Sequence, residues 1–206
     1  MTMTANSSPL GSIHTNRALD AATRLFSAHG SENVDMHTVA LAADIDAIDF
    51  RRAFPTKLDL SYAVALRCTR RLVSTEDDAV SAAHSPLDRL CTMIRRHITF
   101  SWEHRTEQEL RRALLPVLRT IYPDRHRELS GLLRGYRARI QGLIEQGRDL
   151  QLFARTSREP VTGATVLETL EGILNWYDPD GELTIDQLSD VYVDLVIHHL
   201  LGAQRT

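Results

Sequence analysis

The sequence predicts an all-helical chain. Three observations carry that expectation. Apolar residues recur at three- and four-residue spacing along most of the length. No stretch alternates strictly with period two, and each helical segment has its own cap or stop residue, so the assignment does not rest on propensity alone. The length of 206 residues allows one sizeable helical domain or a small domain joined to a larger one, and 43% hydrophobic against 25% charged residues suffices for a buried core.

Taken in order, the first residues are small and polar with Pro9 and Gly11, and residues 1 to 15 are expected to form a disordered tail. Ala18, Leu19, Ala22, Leu25 and Phe26 then repeat at helical spacing before Gly30, so residues 16 to 29 read as an amphipathic helix capped by Thr15 or Asn16. Asp35 is a natural N-cap for a second helix over 36 to 43, which would bury Met36, Val39, Ala40 and Ala43. A turn at Asp44 and Ile45 leads to Asp46, the cap of a third helix ending near Ala53. Pro55 and Thr56 open a fourth, from Lys57 to about Ser74. Residues 76 to 86, EDDAVSAAHSP, read as a loop. Helices are expected near 86 to 104, near 107 to 121, and from Pro123 to about Gly147. Arg158-Glu159-Pro160 opens another that runs through Tyr177. Asp178-Pro179-Asp180-Gly181 is a strong turn, and Thr184-Ile185-Asp186-Gln187 has the spacing of a capping box at the start of the last helix.

Residues 35 to 60, DMHTVALAADIDAIDFRRAFPTKLDL, have the layout of a DNA-reading helix-turn-helix: two short helices, a tight turn, and a Phe-Pro-x-Lys exit. Their charge runs against that role. Asp35, Asp44, Asp46, Asp49 and Asp59 outnumber Arg51, Arg52 and Lys57, leaving −2 on a surface that would face phosphate. The whole-chain charge of −3 adds no general attraction for nucleic acid.

Residues 17 to 60, through RALDAATRLFSAHG, VALAADI and FRRAFPTKLDL in that order, resemble the N-terminal DNA-binding domain of TetR-type transcriptional regulators. The C-terminal stretch NWYDPDGELTIDQLSDVYVDLVIHHLLG is similar to the last two helices of one branch of that family. In that branch a Trp-Tyr-x-Pro-x-Gly-x-Leu segment joins the helices that pair between subunits, and several members respond to acyl-CoA thioesters. The resemblance implies a helix-turn-helix DNA-binding-like domain over 16 to 60 and a ligand-binding and dimerisation domain over 61 to 206. It implies a homodimer, a double-stranded DNA operator, and a repressor released by a small hydrophobic or acyl-CoA-like effector, with ligand moving the fourth helix and changing the spacing of the two recognition helices.

Residue by residue, the resemblance places Leu25, Phe26, Gly30, Val39, Ala40, Ala43, Ile45, Phe50, Phe54 and Lys57 at scaffold positions. It puts His37, Ala47, Asp49, Arg51, Arg52 and Lys57 at DNA-facing ones. Asp44 stands where the family usually has glycine, and would take a left-handed conformation at some cost. Asp35, Asp46 and Asp49 stand where Ser or Thr is usual, Ile48 replaces a frequent glycine, and Arg51 replaces a tyrosine. An aspartate at a helix N-terminus stabilises the free protein by ~0.3–1 kcal/mol but occupies the place a phosphate would take. A second expectation follows: a TetR-fold ligand-binding or interaction protein that has lost DNA binding.

In the middle of the chain, Met93, Phe100, Trp102, Leu114, Leu118, Tyr122, Tyr136 and Ile140 are expected to line a cavity, with Arg96 among the arginines suited to a phosphate-bearing ligand. Apolar stripes on the last two helices, including Leu170, Ile173, Leu174, Leu188, Val191 and Leu195, are expected to form a four-helix dimer interface. Cys68 and Cys91 read as reduced thiols, since neither has a close-spaced partner. No run of apolar residues reaches the length of a membrane span and the start lacks a signal-peptide pattern, so a soluble cytoplasmic protein without membrane partners is expected. His198 and His199 point about 100° apart on a helix. His97 and His104 would need a further helix to share a metal, and Glu103-His104 is not part of a zinc-protease motif. No metal, cofactor, catalytic residue or enzymatic activity is predicted.

Overall fold

The computed structural model describes residues 11 to 74, 85 to 154, 160 to 178 and 180 to 204, with only the backbone at 12 and 13. Every regular element among them is helical: α1 (Ser12–His29), α2 (Met36–Ala42), α3 (Ala47–Ala53), α4 (Lys57–Ser74), α5 (Pro86–Glu103), α6 (Arg105–Ile121), α7 (Pro123–Asp149), α8 (Gly163–Glu171) and α9 (Ile185–Asp194). Short 3-10 turns follow α1 and α8, and α9 continues into a π-helical turn over Leu195–Leu200. The loop expected at 76 to 86 lies, up to residue 84, outside the described residues, as do residues 1 to 10 of the expected tail.

The caps are those that the residue types predict. Asp35 accepts from the Thr38 amide at 2.8 Å and Asp46 from the Ile48 amide at 2.8 Å, each satisfying an orphan N–H at a helix start. Ser85 caps α5, with Pro86 in the first turn. Thr184 and Gln187 form both halves of the capping box on α9. Gly30 ends α1 at φ 78°, its N–H bonded to the Phe26 carbonyl.

Two boundaries differ from expectation. Helix α1 starts at Ser12, so residues 12 to 15 are helical rather than tail, and the Thr15 hydroxyl bonds back to the Gly11 carbonyl at 3.0 Å inside the first turn instead of capping. The helix anticipated from Pro160 begins at Gly163, because Thr162 supplies the cap by accepting from the Thr165 amide, and it tightens to 3-10 geometry at Gly172 before reaching Tyr177.

The chain divides into two compact units. The first comprises the described residues up to Cys68 together with Thr106–Arg125, so the unit around the helix-turn-helix extends past residue 60 and takes in most of α6. Its core is built from Ala18, Leu19, Ala22, Phe26, Val39, Ala40, Phe50, Phe54, Leu60 and Val64, with Leu110 packed against it. The second comprises Thr69–Arg105 and the described residues from His126 onward. Its core joins Leu90, Ile94 and Ile98 of α5 to Tyr136, Ile140 and Ile144 of α7, Val166 and Leu170 of α8, and Leu188 and Val196 near the C-terminus.

Gly163 marks a close approach of two helix backbones within that second core. A Cβ there would stand 2.6 Å from the Arg137 carbonyl oxygen and 2.8 Å from the Gln141 nitrogen, both backbone atoms of α7. The Gly163 amide also donates to the Gln141 side chain at 2.7 Å. Neither helix can yield without losing its own hydrogen bonds. Gly163→Ala is therefore expected to lower stability by roughly 1–3 kcal/mol, the usual cost of overpacking, read as a reduced urea midpoint with unchanged helical circular dichroism.

Candidate nucleic-acid interface

Helices α2 and α3 are joined by a turn in which Asp44 adopts φ 52°, the left-handed region. A non-glycine residue is strained there, and Arg17 of α1 holds it by donating to the Asp44 carbonyl at 3.1 Å and its carboxylate at 2.8 Å. Ile45 then returns its N–H to the Ala40 carbonyl at 3.0 Å, closing the turn. Phe50 and Phe54, with rings 5.3 Å apart, anchor α3 in the core and leave its opposite face outward.

Along the mouth between α2, α3 and the start of α4 lies an open hollow of about 430 Å³, lined by Met36, His37, Ala40, Ala47, Phe50, Arg51, Phe54, Pro55, Thr56 and Lys57. Four of the six predicted DNA-facing residues, His37, Ala47, Arg51 and Lys57, therefore meet on one concave surface. The other two are drawn aside: Asp49 and Arg52 are exposed and paired with each other at 3.0 Å. Lys57 donates from Nζ to the Glu32 carbonyl at 2.9 Å, which orients the amine without neutralising it.

The acidic residues have internal partners. Asp35 accepts from both the amide and the hydroxyl of Thr38, and these bonds hold its carboxyl below the ordinary value. Asp46 accepts from the Ile48 amide at 2.8 Å and the Asp49 amide at 3.4 Å. Asp44 is bound by Arg17. Asp59 accepts from the Thr56 amide at 2.8 Å and hydroxyl at 2.7 Å, and from Arg125 at 2.6 Å. Thr56 returns the bond, since its hydroxyl accepts from the Asp59 amide at 3.2 Å. This is a capping box that reasoning from sequence missed, although Thr56-x-x-Asp59 has its spacing. Arg125 was equally unforeseen in this role: its guanidinium lies over the Tyr62 ring at 5.0 Å and the Tyr122 ring at 4.8 Å, a cation–π arrangement that ties the start of α7 to α4.

The residues expected to line a ligand cavity fall into both compact units. Met93, Arg96, Phe100, Trp102, Tyr136 and Ile140 belong to the second; Leu114, Leu118 and Tyr122 belong to the first. Met93, Tyr136 and Ile140 are buried in the second core, where the Tyr136 hydroxyl and His97 Nδ1 lie 3.1 Å apart. Trp102 meets Tyr177 edge-on at 4.7 Å. Tyr122 is 39% exposed.

The residues expected at a dimer interface divide by burial. Leu170, Ile173 and Leu188 are fully buried in the core of the single chain. Val191 at 49% and Leu195 at 37% are exposed and Leu174 is partly so. Trp176, at 56% exposure, stacks on Tyr192 and donates to its hydroxyl at 3.2 Å, extending the apolar surface beside α9. Among the described residues no group of His, Cys, Asp or Glu is placed to hold a metal ion, and no helix is long and apolar enough to cross a membrane.

Asp59 supplies a pH-dependent test of this interface. Burial opposes its ionisation, but the Thr56 and Arg125 hydrogen bonds outweigh burial and hold the carboxyl below its ordinary value. A depressed native value gives stability that is complete above the unfolded-state value and is lost as pH falls through the folded one. Asp59→Asn is expected to cost roughly 1.5–3 kcal/mol at pH 7, the range for hydrogen bonds to a charged group. The difference between variant and wild type should shrink below pH about 4, as followed by denaturant titrations across pH.

The family model for the tetracyclin repressor-like C-terminal domain matches residues 83–200, more than half of the chain. Similarity of backbone extends over nearly all of it. A bacterial regulatory protein in the tetR family from Rhodococcus RHA1 has a TM-score of 0.77 at 17% identity, covering 93% of this chain and 98% of that one. PfmR, a TetR family transcriptional regulator from Thermus thermophilus, has a TM-score of 0.73 at 21% identity, over 92% of this chain and all of that one. AibR, solved in complex with isovaleryl coenzyme A and operator DNA, has a TM-score of 0.69 at 20% identity, over 93% of this chain and all of that one. No curated protein matches the sequence. At such identities the solved structures speak for the fold, an N-terminal helix-turn-helix followed by a helical C-terminal domain, and the match over 83–200 settles the rest: the chain belongs to the TetR family of transcriptional regulators.

Proposed function

We propose that the protein is a cytoplasmic, non-enzymatic transcriptional regulator that binds operator DNA as a homodimer and is released by a small hydrophobic or acyl-CoA-like effector. The observation that carries the DNA-binding part is the hollow that gathers His37, Arg51 and Lys57, in a module whose carboxylates are already bonded within the protein. Arg51 has no ion pair among the described residues and is exposed, so its fork of donors is available to a phosphate or a guanine edge. The effector class draws support from the similarity to AibR, which was solved with isovaleryl coenzyme A, and from the TetR-like Trp-Tyr-x-Pro-x-Gly-x-Leu segment.

A second reading keeps the fold without DNA recognition, and Asp35, Asp46 and Asp49 motivate it. The two separate cleanly. Asp35→Ser, Asp46→Ser and Asp49→Thr together remove three negative charges while keeping good capping residues at 35 and 46. For a DNA-binding regulator, wild type forms a specific complex with its own promoter at low salt in a mobility-shift assay, and the triple variant tightens it with a steeper salt dependence. A wild type that gives no specific band even at low salt, beside a triple variant that does, establishes the second reading.

The dimer is tested on residues that are accessible. Val191→Glu combined with Leu195→Glu is expected to convert the dimer to a folded monomer in sedimentation velocity, because both side chains lie at the surface of the single chain.

A further inference from the structure

Among the described residues the two most exposed large apolar side chains both lie on the helix-turn-helix, Ile48 at 70% and Leu41 at 67%. A lone exposed apolar residue is ordinary on a protein surface, so position decides what it does. Ile48 is the second residue of α3. The polar groups around it are committed: the Asp46 carboxylate is turned back onto the Ile48 and Asp49 amides, and Asp49 is paired with Arg52. The head of α3 thus presents an aliphatic pair, Ala47 and Ile48, between the exposed but internally bonded Asp46 and Asp49.

Such a surface has no complement in phosphate, and a contact with sugar carries no sequence information. On the edges of base pairs in the major groove the bulky apolar group is the C5-methyl of thymine, where cytosine carries only a hydrogen. The nearby carboxylates disfavour guanine, whose major-groove edge offers only acceptors. A β-branched side chain suits the contact because its χ1 is restricted before binding.

We infer that Ile48 is a specificity-determining residue that reads a thymine methyl in the major groove; this rests on the DNA-binding reading above. Selection from a random duplex library with the intact chain at low salt identifies the bound sequence. Each thymine of that site is then replaced singly by deoxyuracil, which differs only in lacking the methyl. Wild type is expected to lose about fourfold in affinity at one thymine of each half-site, the worth of one buried methyl-sized group. Ile48→Ala should bind the thymine and uracil sites equally, with an unchanged melting temperature, and Ile48→Val should keep the preference. Indifference of wild type to every replacement overturns the inference, and so does a penalty that persists in Ile48→Ala. A selection that enriches no sequence overturns the DNA-binding reading and this inference with it. That result is distinct from a site that is bound without regard to the methyl.

Discussion

The carboxylate of Asp59 fixes the exit from the helix-turn-helix, and the geometry of the candidate interface follows from it. One side chain receives the Thr56 amide, the Thr56 hydroxyl and the Arg125 guanidinium, all within 2.8 Å. The first two set where α4 begins, and hence where Thr56 and Lys57 stand on the rim of the hollow. The third brings in the Tyr122 and Tyr62 rings that flank Arg125. The Asp59 side chain is only 15% exposed, so the pair is less screened than a surface bridge and removing either partner strands a charge. This makes the node a strong constraint on one part of the first unit, whereas the exposed Asp49–Arg52 pair contributes little.

The same chemistry recurs at the other acids and changes the meaning of their number. Read as formal charge, the module repels DNA. Read as bonding, Asp35 and Asp46 complete helix starts, and Asp44 pairs with an arginine that also binds its strained backbone. A carboxylate that accepts from helix N–H groups offsets their partial positive charge, so the field presented outward is smaller than the count of aspartates suggests.

Legibility in the sequence followed range. Caps and stops are local, and Asp35, Asp46, and Thr184 with Gln187 were readable because each satisfies an N–H within three or four residues of itself, whereas Ser85, the cap of α5, sits in a stretch that reads as loop. Asp44 at a turn demanding positive φ was readable for the same reason, but its support by Arg17 was not, since that partner lies on another helix. The last helices show the limit most plainly. The apolar stripe through Leu170, Ile173, Leu188, Val191 and Leu195 has one period and two fates, because burial against α5 and α7 is decided by tertiary packing that periodicity does not encode. The ligand-facing set suffers likewise: Leu114 and Met93 look alike in sequence and lie in different compact units.

A DNA-facing surface of this composition would work in a particular energetic regime. Non-specific binding is almost wholly counterion release, which grows with the number of phosphates neutralised. A module with Arg51 and Lys57 near its hollow, and its other charges largely paired, neutralises few. Specific binding then rests more on base edges and shape, including whatever Arg51 and the aliphatic head of α3 contact. Phosphate attraction is common to all sites whereas base contacts are not, so weakening the first lowers affinity for every site alike and leaves the ratio of specific to non-specific binding, which governs occupancy when competing sites are abundant, to the base contacts and DNA shape. On the DNA-binding reading, an acidic helix-turn-helix would therefore lower affinity without lowering discrimination, and the second half-site bound by a symmetric dimer would offset the loss by doubling the base contacts.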